Sequence, residues 1–256
     1  MNIAASIYHI KRRVDSYLWE DTSDTVSGLR KIILNRFIPI GKVFIVGGLV
    51  RDLARGGIRN FKSDIDLIID APIDIIDGLG QALGGKKNRF GGFSIYQRNF
   101  KIDFWAFENT WAHRRGHIRA FNERDLLNST FFDIDAVLYD VGEREIHSRE
   151  DYIDLLYSKT LDINLRANPS IEGNALRAVR RLLGWGLRPK SQLSLFLTEN
   201  INDHVMNYII LNEKRLYNNS YAESYDSAEE LLEALIYPSC RKIIYYNQAR
   251  QLNLPF

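Results

Sequence analysis

Apolar residues recur at Ile3, Ile7, Ile10 and Val14, the spacing of one helical face, and again at Leu29, Ile32, Ile33 and Phe37, with a polar connection over residues 19–27. Residues 1–38 are therefore expected as a helical cover. The period then changes. Residues 43–46 form a short apolar run of β-branched and aromatic side chains, which reads as a buried strand, and a helix is predicted from residue 49. Residues 63–70, SDIDLIID, alternate so that Asp64 and Asp66 share one face while Ile65 and Leu67 point into a core. A helix over 72–83, a hairpin over 93–107 and strands near 133 and 144 complete a head over 39–147. From 148 to 256 the pattern is helical throughout, giving a helical neck and C-terminal region. A small mixed sheet with helices, followed by an all-helical region, is an α+β protein.

Chemistry concentrates between residues 43 and 70. Gly47 and Gly48 follow the first strand directly, so backbone amides can approach an anion without Cβ obstruction, and the helix that starts there presents its first N–H groups to the same anion. The carboxylates of Asp64 and Asp66 repel each other unless a cation sits between them, and a hard divalent ion that also holds substrate phosphates suits such a pair. The segment VFIVGGLVRDLARGGIRNFKSDIDLIID resembles the nucleotidyltransferases of the polymerase β superfamily. Its Gly-Gly-Leu-Val-Arg-Asp form points to the class II branch of bacterial CCA-adding enzymes and poly(A) polymerases, and the resemblance implies a divergent, C-terminally short member. The resemblance implies a polymerase β-like palm. It places Gly47, Gly48, Arg51 and Ser63 on the nucleotide, and two magnesium ions, with manganese as a substitute, on Asp64 and Asp66.

A two-metal phosphoryl-transfer site needs a third acid, and Asp103 in FKIDFWAFE supplies one on the second strand of the hairpin. Ile102-Asp103-Phe104 is similar to the family's Ile-Glu-Val context, with Asp for Glu. Residues 126–140, LLNSTFFDIDAVLYD, resemble the family's Arg-Arg-Asp-Phe-Thr-Ile-Asn-Ala-Leu segment but carry Asn128 and Ser129 near the paired arginines. There Asp133 and Asp135 alternate as if on a strand, a rival metal pair without a glycine turn before it. Over 174–185, NALRAVRRLLGW resembles the family's Leu-Arg-Ala-Val-Arg-Phe helix. Arg177, Arg180 and Arg181 share a helical face suited to phosphates, with no acid between residues 177 and 190, and Arg177 and Arg180 join the nucleotide-binding set. The family's base-reading Glu-Asp-x-x-Arg motif is missing near residues 170–174, so ordered C-C-A addition is not expected.

Composition narrows the partners. A net charge of +2 on 256 residues does not make the whole surface a nucleic-acid binder, so such binding must come from local clusters at 11–13, at 113–124 and on the arginine helix. A single cysteine, Cys240, excludes an intrachain disulfide and a cysteine zinc cluster, and His113 and His117 amid arginines make a poor zinc pair. Tyr217, Tyr221 and Tyr225 are expected as packing residues. No leader-like apolar core and no membrane-length apolar run are present, which predicts a cytoplasmic location and no membrane partner. The expected activity moves a nucleoside monophosphate from an NTP to a hydroxyl and releases pyrophosphate. The resemblance makes an RNA 3′ end, tRNA by default, the expected acceptor. A toxin or defence-type tailing enzyme with a protein partner fits the departures, and modification of a protein or small molecule, or a catalytically silent regulatory homologue, stays open.

Overall fold

The computed structural model describes residues 2–57, 61, 64–88, 90–97 and 100–242. The chain forms two compact units, one of residues 1–130 with 134–156, the other of 131–133 with 157–256.

In the first unit, helix α1 (Ile7–Asp15) is capped by the Ser6 side chain and runs on through a π turn, Ser16–Glu20. Helix α2 (Asp24–Ile32), capped by Ser23, continues through a second π turn, Ile33–Phe37. The connection predicted over 19–27 is thus shorter than its polarity suggested, because Ser23 starts the next helix early. Strands β1 (Lys42–Val46), β2 (Ile65–Asp70), β3 (Lys86–Lys87), β4 (Phe93–Gln97), β5 (Phe100–Ala106), β6 (Val137–Asp140) and β7 (Glu145–Ser148) form one sheet in the order β3-β4-β5-β2-β1-β6-β7. Within it β2 and β5 run parallel, and the other neighbours are antiparallel. Helix α3 (Gly48–Gly56) follows β1, and α4 (Ile73–Ala82) follows β2; the short helix α5 (Trp111–Arg114) follows β5.

Alternation sorts the sheet into two faces. Ile65, Leu67, Ile69, Ile102 and Phe104 are fully buried, and Phe104 packs against Phe37 at 5.0 Å and Phe93 at 5.8 Å between ring centroids. On the other face Phe44, Ile68 and Leu138 pack with Phe107, Ala120 and Leu126. The carboxylate-bearing ends of β2 and β5 belong to this second face by register. The N-terminal helices are tied in by polar contacts. The buried Asp15 accepts from Tyr139 Oη at 2.6 Å, which in turn accepts from Trp19 Nε1 at 2.9 Å. Arg13, part of the basic cluster at 11–13, donates to the carbonyls of Leu53 and Ala54 at the C-terminal end of α3, so its charge is used in capping.

One predicted strand is not formed where expected. Asp133–Asp135 is a turn of 3₁₀ helix, and the strand begins only at Val137, so these acids do not alternate on a sheet face.

In the second unit, helix α6 (Tyr152–Ser158, which begins in the first) is followed by α7 (Ile171–Gly184), α8 (Ser191–Asn200), α9 (Asp203–Tyr217) and α10 (Ala228–Ile236), and by a two-stranded parallel ladder of β8 (Thr160–Leu161) and β9 (Arg188–Pro189). Ser170, Asn202 and Ser227 cap α7, α9 and α10 in turn. The predicted last helix falls mainly on residues outside the described ones. No helix among the described residues is long and apolar enough to cross a membrane.

Candidate active site

The glycine turn sits where β1 meets α3. Gly47 has φ +59°, a conformation side chains resist, which gives the physical reason for glycine there. Its N–H donates to Val137 O at 3.0 Å, anchoring the turn to β6. Gly48 opens α3, whose buried Leu49, Val50, Leu53 and Ala54 fix the helix on the sheet with its N-terminus at the end of β1.

Register brings the acids to this turn. Val46, the residue before Gly47, pairs with Asp66, and Asp66 pairs on its other side with Asp103. Asp64 lies two residues before Asp66, just ahead of β2. The three carboxylates proposed from the sequence thus belong to one sheet face beside the glycine turn. Two partners were missed in the sequence. Lys101 Nζ lies 2.8 Å from Asp103 Oδ2 and 3.2 Å from Asp64 Oδ2, and the Ser94 hydroxyl bonds to Asp103 Oδ1. The signal for Lys101 is its period-2 relation to Asp103, and Ser94 is the cross-strand neighbour of Asp103 in the hairpin.

Charge at the site is unbalanced. Burial raises the pKa of Asp66 well above the ordinary carboxylate value, and the charges of Asp103 and Asp64 push it further, against opposing pulls from Lys101 and Arg51. Asp64 is also raised, mainly by burial, with Lys101 offsetting part of the effect. A carboxyl whose folded pKa is raised disfavours folding when ionised. The penalty is in full force above the raised value, lessens as pH falls through it, and vanishes near the ordinary value of 3.8. Asp66→Asn is therefore expected to melt at a higher temperature than wild type at neutral pH in chelator, the difference narrowing as pH falls toward the ordinary carboxylate range. A variant that melts lower at neutral pH would contradict this, and thermal melts across pH check it.

Arg51, expected on the triphosphate, is placed differently. Its buried guanidinium donates to Asp52 through Nε at 2.8 Å and to Asp135 through Nη1 at 2.6 Å. Burial works against its charge, yet the two carboxylates hold its pKa above the ordinary guanidinium value. It acts as a buried tie between α3 and the turn before β6, which orients the glycine turn from behind. Asp135, half of the rival metal pair, is the acid at the other end of that tie. Ser63 lies outside the described residues.

The arginines of α7 are also engaged. Arg180 lies between the rings of Tyr217 and Tyr221, 4.0 and 4.5 Å from their centroids, and donates to Asn219 at 2.7 Å and to Glu213 at 3.3 Å. Glu213 is fully buried and also accepts from the Ser220 hydroxyl and Ala222 N–H. The neutralising acid absent from residues 177–190 is supplied by α9, so Arg180 is a packing residue of its unit and not an open phosphate ligand. Arg181 is buried over Phe132 at 4.3 Å. Arg177 is exposed and bonds to Asn174. Tyr217 and Tyr225 pack as expected, each with its hydroxyl pKa raised by burial.

The basic segment at 113–124 is solvated. Arg114, Arg115, Arg119 and Arg124 are exposed, and Phe121 is 84% exposed. His113 Nδ1 accepts from Ala120 N–H, and the His117 ring lies 4.9 Å from that of Trp111.

No protein-family model and no curated protein matches the chain. Solved structures match its fold. The Bacillus stearothermophilus CCA-adding enzyme in complex with CTP aligns with a TM-score of 0.52 at 15% identity, over 78% of this chain and 50% of that one. A second CCA-adding enzyme with CTP aligns with a TM-score of 0.52 at 17% identity, over 83% of this chain and 52% of the other. This chain spans about half the length of those proteins, and it has their fold.

Proposed function

We propose that the protein is a magnesium-dependent nucleotidyltransferase that moves a nucleoside monophosphate from an NTP to the 3′-hydroxyl of an RNA and releases pyrophosphate. The observation that carries this reading is the register that sets Asp66 between Val46, at the mouth of the glycine turn, and Asp103. It sets three carboxylates on one face beside the glycine turn, which supports a site for phosphates and a hard cation. The fold shared with proteins solved with CTP supports an NTP as donor.

The donor set fits a hard divalent cation. Carboxylate oxygens are what magnesium takes, and burial with mutual repulsion leaves Asp66 in need of positive charge. Asp64 and Asp66 would hold the ion, which when bound offsets charge on the transferring phosphoryl group. The rest falls to the chain itself. The N–H groups opening α3 hold the triphosphate, and Arg51 keeps that helix end in place through Asp135. Asp103 takes the proton of the attacking hydroxyl. An RNA strand is the acceptor that the exposed arginines and Phe121 of residues 113–124 suit, by phosphate contact and base stacking. tRNA is the acceptor the sequence resemblance implies.

Incubation with each α-labelled NTP, magnesium and total RNA tests the reading. Label at RNA 3′ ends, lost in chelator, is the expected result. Label on protein, or none with any NTP, would overturn it. Sequencing the extended ends should show one preferred nucleotide or a loose preference; C-C-A rebuilt on truncated tRNA would refute that expectation.

A further inference from the structure

Lys101 is the charged side chain of the carboxylate cluster to which the transferase reading gives no task. It stands on β5 with Asp103, on the face that carries Asp64 and Asp66. Its side chain is 11% exposed, and Nζ bridges one oxygen of Asp103 at 2.8 Å and one of Asp64 at 3.2 Å. The remaining Asp103 oxygen is held by Ser94, so this carboxylate is fixed on both sides. The lysine is thus built into the cluster between strands.

The place it fills has a meaning in phosphoryl transfer. In a site with two ions, one would stabilise the attacking oxygen and the other the leaving oxygen. Nζ, between Asp64 and Asp103, stands where a cation would lie beside the acid proposed to take the hydroxyl proton. Charge balance agrees. Three carboxylates against one ammonium leave two negative charges, which a single divalent ion neutralises.

We propose that the Lys101 ammonium takes the place of the acceptor-side metal ion, so that the head holds one divalent cation, with the triphosphate on Asp64 and Asp66, instead of two. The inference rests on the nucleotidyltransferase reading above. In the step it serves, the 3′-oxygen forms a bond to the α-phosphorus and the bond from that phosphorus to the leaving pyrophosphate oxygen breaks. The hydroxyl proton passes to Asp103, and Lys101 stabilises the oxygen as its negative charge develops. Lysine suits this as a compact point charge with freely rotating donors.

Counting bound Mn2+ by electron paramagnetic resonance on the full chain, saturated with a non-hydrolysable NTP analogue, tests it. Wild type is expected to bind one ion per protein and Lys101→Met two, while Lys101→Arg, which keeps a cation there, stays at one. Two ions in wild type overturn the assignment, and so does one ion in both wild type and Lys101→Met. If Lys101→Met fails to fold without metal, the wild-type count still decides. No ion and no analogue bound by any form would instead sink the transferase reading, which keeps the two failures apart.

Discussion

Asp66→Asn is expected to lower nucleotide transfer by at least about 10³-fold while leaving the protein folded and, without metal, no less stable than wild type. The size follows from position. Asp66 is paired in register with both neighbouring strands, and no described residue forms an ion pair with it, so its charge has no evident structural use. In the proposed reading it offers an anionic ligand for an ion whose charge acts most strongly in the transition state, and an amide of the same shape would not replace that charge. A residue that costs stability and is indispensable for turnover is the usual signature of a site shaped for function. Single-turnover transfer, measured beside thermal melts, separates the two effects. Activity within about tenfold of wild type in the folded variant would remove Asp66 from the metal site.

Glu213→Ala is expected to be the most damaging single change in the helical unit, destabilising it by about 3–5 kcal/mol. Glu213 is fully buried and serves Arg180, the Ser220 hydroxyl and Ala222 N–H together. Removing it leaves a guanidinium between Tyr217 and Tyr221 without its counter-charge, and two further donors without their acceptor. Arg180→Met combined with Glu213→Leu should recover much of the loss, since replacing both ends of a buried pair with apolar groups is close to neutral. Urea denaturation of Arg180→Met, Glu213→Leu and the double variant gives the coupling. Additive losses would mean that the pair contributes nothing beyond packing.

The parts of the site legible in the sequence are those fixed by local rules. Gly47 and Gly48 stand out because glycines after a buried strand let backbone amides approach an anion, and Gly47 does hold a positive φ; Asp64 and Asp66 stand out because alternation along one strand decides their face. Asp103 followed from the aromatic pattern of its hairpin. What escaped depends on pairing between distant segments. Lys101 and Ser94 acquire meaning only once β4, β5 and β2 are in register. Arg51 reads as a phosphate ligand until Asp135 is seen to reach it from 84 positions away, and Arg180 until Glu213 arrives from another helix. Asp133 and Asp135 deceived for the opposite reason: a single 3₁₀ turn mimics strand alternation over so short a stretch.

The parallel pairing of β2 with β5 sets how freely this protein can vary in length. Parallel neighbours need a long crossover, here α4, β3 and β4, yet the alignment of Asp66 with Asp103 is held by the ladder itself and by the shared core of Phe37, Phe93 and Phe104. Within the crossover β4 takes part in that geometry through Phe93 and Ser94, while the turn after α4 only spans the distance. At Gly84, where the chain turns out of α4 and a Cβ would meet nothing within 4 Å, residues can be inserted or removed without disturbing the relation between the two acids. A one-residue slip inside β5 would instead turn Asp103 to the far face of the sheet. Relatives of this chain can thus differ widely in the crossover and hardly at all in the five residues of ladder beside it.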